Sequence, residues 1–96
     1  MWLYVNVRDR EISTPKSFNT KLDAQRAMLK DFVQAIGDDT VAELKESSID
    51  LTNIDAVDLT DVNIDTYDLG INAETAYAND AFGGNHSDWD GKIFEI

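Results

Sequence analysis

An aliphatic residue recurs at every fifth position through the middle of this 96-residue chain, and mostly Asp, Asn and Thr fill the intervals. We call residues 44–69 the acidic ladder. Its aliphatic positions are Leu44, Ile49, Ile54, Leu59, Ile64 and Leu69. The pattern favours two or three short strands or extended turns, with aliphatic side chains pointing inward and aspartates on the solvent-exposed face.

The negative charge of the chain lies almost entirely in its second part. Residues 1–37 carry six Lys and Arg against four Asp and Glu, whereas residues 38–96 carry two against fifteen. The net charge of −11 therefore comes from one side of the chain. Such a field favours a cationic partner, or imitation of an anionic molecule, and identifies no reaction.

Length and composition predict one folded domain over residues 1–96. A chain of this length buries roughly two-thirds of its unfolded surface, and a hydrophobic content of 43% exceeds that of a disordered acidic tail. Cysteine is absent from the sequence, which excludes disulfides, thiolate metal sites and cysteine nucleophiles. We expect no signal peptide and no membrane span, and a reducing cytoplasm as the compartment.

Before the ladder, the sequence predicts a β-hairpin and two helices. Apolar and polar residues alternate over 2–7, a charged turn follows at 8–11, and Pro15 places the second strand at an edge. Thr20 can cap a main amphipathic helix, whose apolar stripe is formed by Leu22, Met28, Leu29, Phe32, Val33 and Ile36. Gly37 ends that helix, and a short helix follows from Asp38 or Asp39 to about Glu46.

After the ladder, the sequence predicts a closing antiparallel pair of strands. Residues 71–79 have partial strand character, residues 80–88 have the composition of a loop, and residues 92–96 alternate between apolar and polar. The expected fold is therefore α+β, with an N-terminal β-hairpin, two helices, an acidic extended segment and C-terminal antiparallel strands.

Residues 47–71 also divide into five units of five, from Ser47-Ser48-Ile49-Asp50-Leu51 to Tyr67-Asp68-Leu69-Gly70-Ile71. This segment resembles the pentapeptide-repeat family, in which a small residue and Asp or Asn precede a central aliphatic or aromatic residue. The resemblance implies an alternative fold for the middle of the chain, a short coil of right-handed β-helix. It also implies that the acidic surface imitates duplex DNA, as in some members of that family.

Either fold holds a row of carboxylates outside an aliphatic interior. Alternate residues of a strand lie roughly 6.5 to 7 Å apart, which is comparable with the spacing of phosphates along a nucleic-acid strand. The row could therefore occupy a basic groove made for DNA or RNA. A solvated face that only keeps the protein in solution is the alternative. The predicted binding residues of the row are Asp50, Asp55, Asp58, Asp61, Asp65 and Asp68.

Aromatic and basic residues add two further expectations. Trp89 borders the closing loop and, if exposed, would be an interface anchor, so it joins the predicted binding residues. The basic residues of the first third could pair with the acidic half, within one chain or in a head-to-tail homo-oligomer. These are Arg8, Arg10, Lys16, Lys21, Arg26 and Lys30.

The sequence offers little for catalysis or for metal binding. His86 is the only histidine, and it lies beside Gly83, Gly84 and Asn85 in a segment of loop composition. The segment 88–91 has aspartates spaced as in a calcium loop, but the twelfth position of such a loop would fall beyond Ile96. No phosphate loop, nucleophile elbow or cofactor fingerprint is present. We expect a protein that is not an enzyme, with no metal and no cofactor.

The order of elements resembles that of small phage and prophage proteins of low-GC Gram-positive bacteria, chiefly at the two ends of the chain. The terminal segment 88–96 and the helix start near Asn19 carry this resemblance. It implies a compact accessory protein of the class that includes antagonists of host nucleic-acid enzymes and defence complexes. We therefore expect an acidic binding protein whose partner is the basic surface of a nucleic-acid-handling protein, without direct nucleic-acid binding. A structural or assembly domain, whose charge serves solubility only, is the alternative.

Overall fold

Alternating residues near the N-terminus form the strand that begins the sheet. In the computed structural model, which describes residues 1–84 and 88–96, β1 (Trp2–Arg8) pairs antiparallel with β2 (Glu11–Ile12) and β3 (Lys16–Phe18). Asp9 and Arg10 form the turn with φ of 53° and 70°, the left-handed geometry of a tight two-residue hairpin. The predicted hairpin is confirmed, and its second arm is interrupted over residues 13–15.

Two helices follow, and local signals explain where each one starts and stops. The Thr20 hydroxyl accepts a hydrogen bond from the Asp23 amide at 3.1 Å and caps α1 (Lys21–Ile36). Gly37, with φ of 85°, separates α1 from α2 (Asp38–Ser47). This φ is in the left-handed region, which favours glycine and stops the first helix. Both predicted helices are confirmed.

The apolar stripe of α1 faces the sheet, with one correction. Met28, Leu29 and Phe32 are buried, but Leu22 is 44% exposed and lies outside the core. Gln25, which interrupts the stripe, donates a 2.8 Å hydrogen bond from Nε2 to the carbonyl oxygen of Ala73. This polar residue therefore fastens the helix to a turn of the sheet.

A polar contact between α1 and β1 lies at the edge of the core. The hydroxyl of buried Tyr4 donates to Asp31 Oδ2 at 2.6 Å, and Asn6 Nδ2 donates to the same hydroxyl at 3.1 Å. Burial, followed by the bond to Asp31, raises the pKa of Tyr4 far above its ordinary value. The phenol therefore stays protonated and can donate to the helix.

Beyond α2, the described residues add four strands and two short helical turns. These elements are the 3-10 turn Ile54–Ala56, β4 (Asn63–Asp65), β5 (Leu69–Asn72), β6 (Thr75–Ala78), α3 (Ala81–Gly84) and β7 (Trp89–Glu95). The sheet is antiparallel in every pairing, with the order β2-β1-β7-β6-β5-β4 and with β3 also beside β1.

The first and last strands of the chain are neighbours in the sheet. β1 and β7 pair over seven residues, from Trp2 opposite Glu95 to Arg8 opposite Trp89. The predicted closing pair of strands is confirmed as β6 and β7. Part of the predicted loop 80–88 is instead helical, as α3, and residues 85–87 lie outside the described part of the chain.

The alternative of a β-helix coil over residues 47–71 is wrong. This segment contains a 3-10 turn, irregular chain and the antiparallel strands β4 and β5, whereas a β-helix coil requires parallel pairing between successive turns. Its aliphatic residues nevertheless point inward: Leu51 and Leu59 are 2% and 1% exposed. Among the described residues, no helix combines the length and the apolar character required to cross a membrane.

Candidate functional site

Two copies of the tripeptide Asp-Leu-Thr shape the irregular part of the acidic ladder. Asp50 Oδ1 accepts hydrogen bonds from the Thr52 amide at 2.9 Å and from its hydroxyl at 2.5 Å. Asp58 Oδ1 accepts the equivalent bonds from Thr60 at 2.9 and 2.6 Å. Each aspartate thus closes a turn that directs the intervening leucine into the core and leaves its own carboxylate at the surface.

The same bonds keep both carboxylates charged. The hydroxyl and then the amide of Thr52 lower the pKa of Asp50 below its ordinary value, and Thr60 does the same for Asp58. Both side chains are exposed. At neutral pH each turn therefore presents a fixed negative charge.

Asp50, Asp58 and Asp61 surround one depression of about 410 Å³. Aliphatic residues of the same ladder also line it. These aliphatic residues are Ile49, Val57, Val62 and Ile64. The depression therefore combines carboxylates with an apolar part of its lining.

A second depression of about 730 Å³ adjoins the first and shares Ser48, Asn63 and Ile64 with it. It lies between α2 and the edge of the sheet at β4. Its acidic lining residues are Glu43, Asp65, Asp68 and Asp80. We call the two depressions together the acidic double groove, and no Lys or Arg is among the described residues that line either of them.

A contact with the sheet fixes Asp65 at the edge of the groove. The Tyr77 hydroxyl lies within hydrogen-bond distance of both Asp65 Oδ1 and the carbonyl oxygen of Thr66. The bond to Asp65 raises the pKa of Tyr77 above its ordinary value. Because Tyr77 donates to it, Asp65 is held in one orientation while it remains exposed.

The structure removes two of the seven predicted binding residues from this site. Asp55 faces a separate depression, where Arg26 Nε lies 3.7 Å from its carboxylate. Its charge is therefore offset by a basic residue of the same chain. Trp89 is 2% exposed and packs against Phe32 with the ring centroids 6.2 Å apart, so it belongs to the core and cannot contact a partner.

Five predicted residues lie in the double groove: Asp50, Asp58, Asp61, Asp65 and Asp68. Sequence reasoning missed Glu43 and Asp80, since both lie outside the predicted row. The repeated tripeptide Asp-Leu-Thr at residues 50–52 and 58–60 could have predicted the two turns. It repeats after eight residues, so it does not follow the five-residue period of the aliphatic positions.

Other sites proposed from the sequence do not gain support. His86 lies outside the described residues, and Trp89, Asp90 and Gly91 of the calcium-like segment belong to β7 rather than to a loop. Within residues 1–84 and 88–96, no group of three or more His, Cys, Asp and Glu side chains could hold a metal ion. The ion pairs Lys21–Glu74 and Arg26–Asp55 lie away from the double groove.

Comparison with protein-family models, with curated proteins and with solved structures gave no match.

Proposed function

We propose that this chain is a non-catalytic binding protein whose acidic double groove docks a basic surface of a nucleic-acid-handling protein. One observation carries the proposal: five exposed ladder aspartates and Glu43 line two adjoining depressions, and the part of their lining that the structure describes includes no Lys or Arg. Such a lining attracts cationic side chains and concentrates negative potential over the grooves. The binding is electrostatic, and the partner is a protein rather than a nucleic acid.

The shape of the groove suits Lys and Arg side chains. Ile49, Val57 and Val62 line the depression and can pack against the methylene stem, while the carboxylates of the same lining accept hydrogen bonds from the charged end. A surface evolved to bind phosphates presents several such side chains side by side. The double groove offers it several carboxylates in place of phosphates, which is the basis for inhibition by imitation.

The compartment and biological setting are part of the same proposal. We place the protein in a reducing cytoplasm, because its 96 residues include no cysteine. Its resemblance to phage and prophage accessory proteins supports a role against a host nucleic-acid or defence enzyme.

Capture of partners from a bacterial lysate tests this function. The bait is the wild-type chain, compared with the variant D58N/D61N/D65N, whose amide oxygens preserve the hydrogen bonds accepted by Asp58 and Asp65. The control D9N/E11Q/E95Q makes the same change in charge at exposed positions outside the double groove. Captured proteins are identified at about 50 and about 200 mM salt.

We expect basic nucleic-acid-binding proteins to bind the wild type and the control, and to be lost at the higher salt. The D58N/D61N/D65N variant should bind the identified partner about tenfold or more weakly, because three charge contacts are removed. Added DNA should compete with the wild-type chain for that partner. A partner that binds the triple variant equally well, or that ignores salt, would contradict the proposal and favour an assembly domain.

A further inference from the structure

The face of the sheet opposite α1 has no helix against it among the described residues. Strand register places alternate residues of β1, β6 and β7 on this face, with Leu3 opposite Phe94, Val5 opposite Lys92 and Val7 opposite Asp90. Ile12 lies beside Val7 at the β2 edge. We call this set the open sheet face: Leu3, Val5, Val7, Ile12, Thr75, Tyr77, Asp90, Lys92 and Phe94.

The open sheet face exposes several apolar residues to solvent. Ile12 is 73% exposed and Phe94 is 37% exposed, and the valines of β1 are only half-buried. A shallow depression of about 460 Å³ runs between Val5 and Val7 on one side and Thr75 and Tyr77 on the other. Exposed apolar side chains around such a depression are typical of protein interaction sites.

Two charges of opposite sign lie on β7 in the open sheet face, and Asp65 continues the row of Asp90 and Tyr77 at the β4 edge. Asp90 and Lys92 are exposed, lie two residues apart on β7 and border the same depression. Burial, followed by the charge of Asp88, raises the pKa of Asp90 above its ordinary value, so its carboxylate lies where a cation would be favourable.

We propose that the open sheet face is the interface of a homodimer, in which a second copy packs the same face against it about a two-fold axis passing over Gly91. Under this symmetry the two β7 strands run antiparallel across the interface. Asp90 of each copy then faces Lys92 of the other, and Val5 faces Val7 of the second copy. Neither pair requires a residue outside the described part of the chain.

Charge complementarity favours a second copy as the occupant. A strand that carries Asp90 and Lys92 on one face is complementary to itself when it is reversed, which an isologous contact requires. The two larger extents of the molecule, 33 and 29 Å, limit the contact to about the size of a standard interface, which buries roughly 800 Å² per partner.

Charge reversal at the two facing positions tests the dimer, with the dissociation constant measured by sedimentation equilibrium. D90K alone would oppose lysine to lysine, and K92D alone would oppose aspartate to aspartate. We expect each to weaken dimerisation about tenfold or more, and D90K/K92D to return within about threefold of the wild type. E95K and K16D are controls for net charge, because both residues are exposed and lie on the other side of the sheet by register.

The direction in which D90K and K92D change the dimer affinity distinguishes this interface from a general repulsion between acidic copies. Every copy carries −11, so repulsion alone predicts stronger association for D90K and weaker association for K92D. Dimerisation that is strengthened by D90K, or a double variant as weak as the single ones, would overturn the proposal. So would a wild-type chain that stays monomeric up to about 100 μM in about 300 mM salt.

The test is independent of the function proposed for the double groove. Higher salt should preserve or strengthen the dimer, because it screens the repulsion between two acidic copies. Binding of the acidic double groove to a basic partner should weaken under the same conditions. Association that falls with salt and is lost in D58N/D61N would instead indicate head-to-tail contact through the groove and would refute the sheet-to-sheet dimer.

Discussion

Gly70 lies beneath an aromatic ring of the neighbouring strand. A Cβ at this position would lie 2.6 Å from Tyr77 Cζ and 2.8 Å from the carbonyl oxygen of Ile64. The glycine therefore lets Tyr77 lie across β5 and reach Asp65. We expect Gly70→Ala to destabilise the fold by about 1–3 kcal/mol through overpacking, measured by urea denaturation.

Removing the ring provides the control for this effect. If the ring is the main obstacle, Gly70→Ala should cost much less in a Tyr77→Ala background than in the wild type. An equal cost in both backgrounds would show that the backbone of β4, rather than Tyr77, requires the glycine.

The two Asp-Leu-Thr turns make stability depend on acid pH. Asp50 and Asp58 have pKa values below the ordinary 3.8 in the folded state, so their stabilisation is complete above that pH. It is lost as pH falls through the folded pKa values. We expect the stability advantage of the wild type over D50N/D58N to shrink as acid is added, since Asn keeps an acceptor oxygen but does not titrate.

Urea denaturation of both proteins between about pH 2.5 and 6 measures this difference. Because all other carboxylates titrate in both proteins, the comparison isolates the two turns. A difference that does not change with pH would mean that the turns do not depend on the charged form of the aspartates.

At the level of the elements, the sequence predicted well the helices and the hairpin, which depend on local signals. Thr20, Gly37 and the charged hairpin turn each act on their immediate neighbours, so the sequence alone shows where these elements begin and end. The pairing of β1 with β7 joins the two ends of the chain, and no local pattern encodes that register. Trp89 was misjudged for the same reason, because its burial depends on α1 crossing β7.

The acidic ladder shows how one period can have several structural causes. Leu59 is buried by an Asp-Leu-Thr turn, Ile54 lies in a 3-10 turn, and Ile64 and Leu69 lie in paired strands. The sequence therefore predicted correctly that aliphatic residues point inward and aspartates outward. It could not give the directions of the individual carboxylates, because each direction depends on a different local geometry.

The contact between α1 and β1 is the element-level interaction that is most open to test. Tyr4→Phe removes the donor to Asp31 and should destabilise the fold by about 1–2 kcal/mol at neutral pH. Because folding raises the pKa of Tyr4, its stabilisation is present below the unfolded value of 10.0 and is lost as pH rises above it. The stability difference between wild type and Tyr4→Phe should therefore shrink in alkali.

Absorbance of tyrosinate gives an independent measurement of this contact. Tyr67 is 87% exposed, whereas Tyr4 is 2% exposed, so Tyr4 should ionise only when the protein unfolds. Ionisation of all three tyrosines before unfolding would contradict the buried hydrogen bond.

Across the whole molecule, acidic residues are concentrated at the double groove, whereas β7 carries one charge of each sign on the open sheet face. This arrangement allows two kinds of association with opposite responses to salt in one small protein. A uniformly charged surface, by contrast, would keep copies apart and would not favour one docking direction.

Mutual repulsion between the groove carboxylates should lower the stability of the isolated protein. At low salt, D61N/D68N should therefore unfold at a higher urea concentration than the wild type, because it removes two groove charges and leaves the hydrogen bonds accepted by Asp58 and Asp65 intact. The control D9N/E95Q should gain less, because its carboxylates lie outside the groove. The advantage of D61N/D68N should disappear in about 1 M salt, where the screening length falls to about 3 Å. Residues that lower stability and are also needed for capture of a partner are typical of a functional site. If D61N/D68N is less stable than the wild type at low salt, these carboxylates support the fold, and this argument for a binding groove is removed.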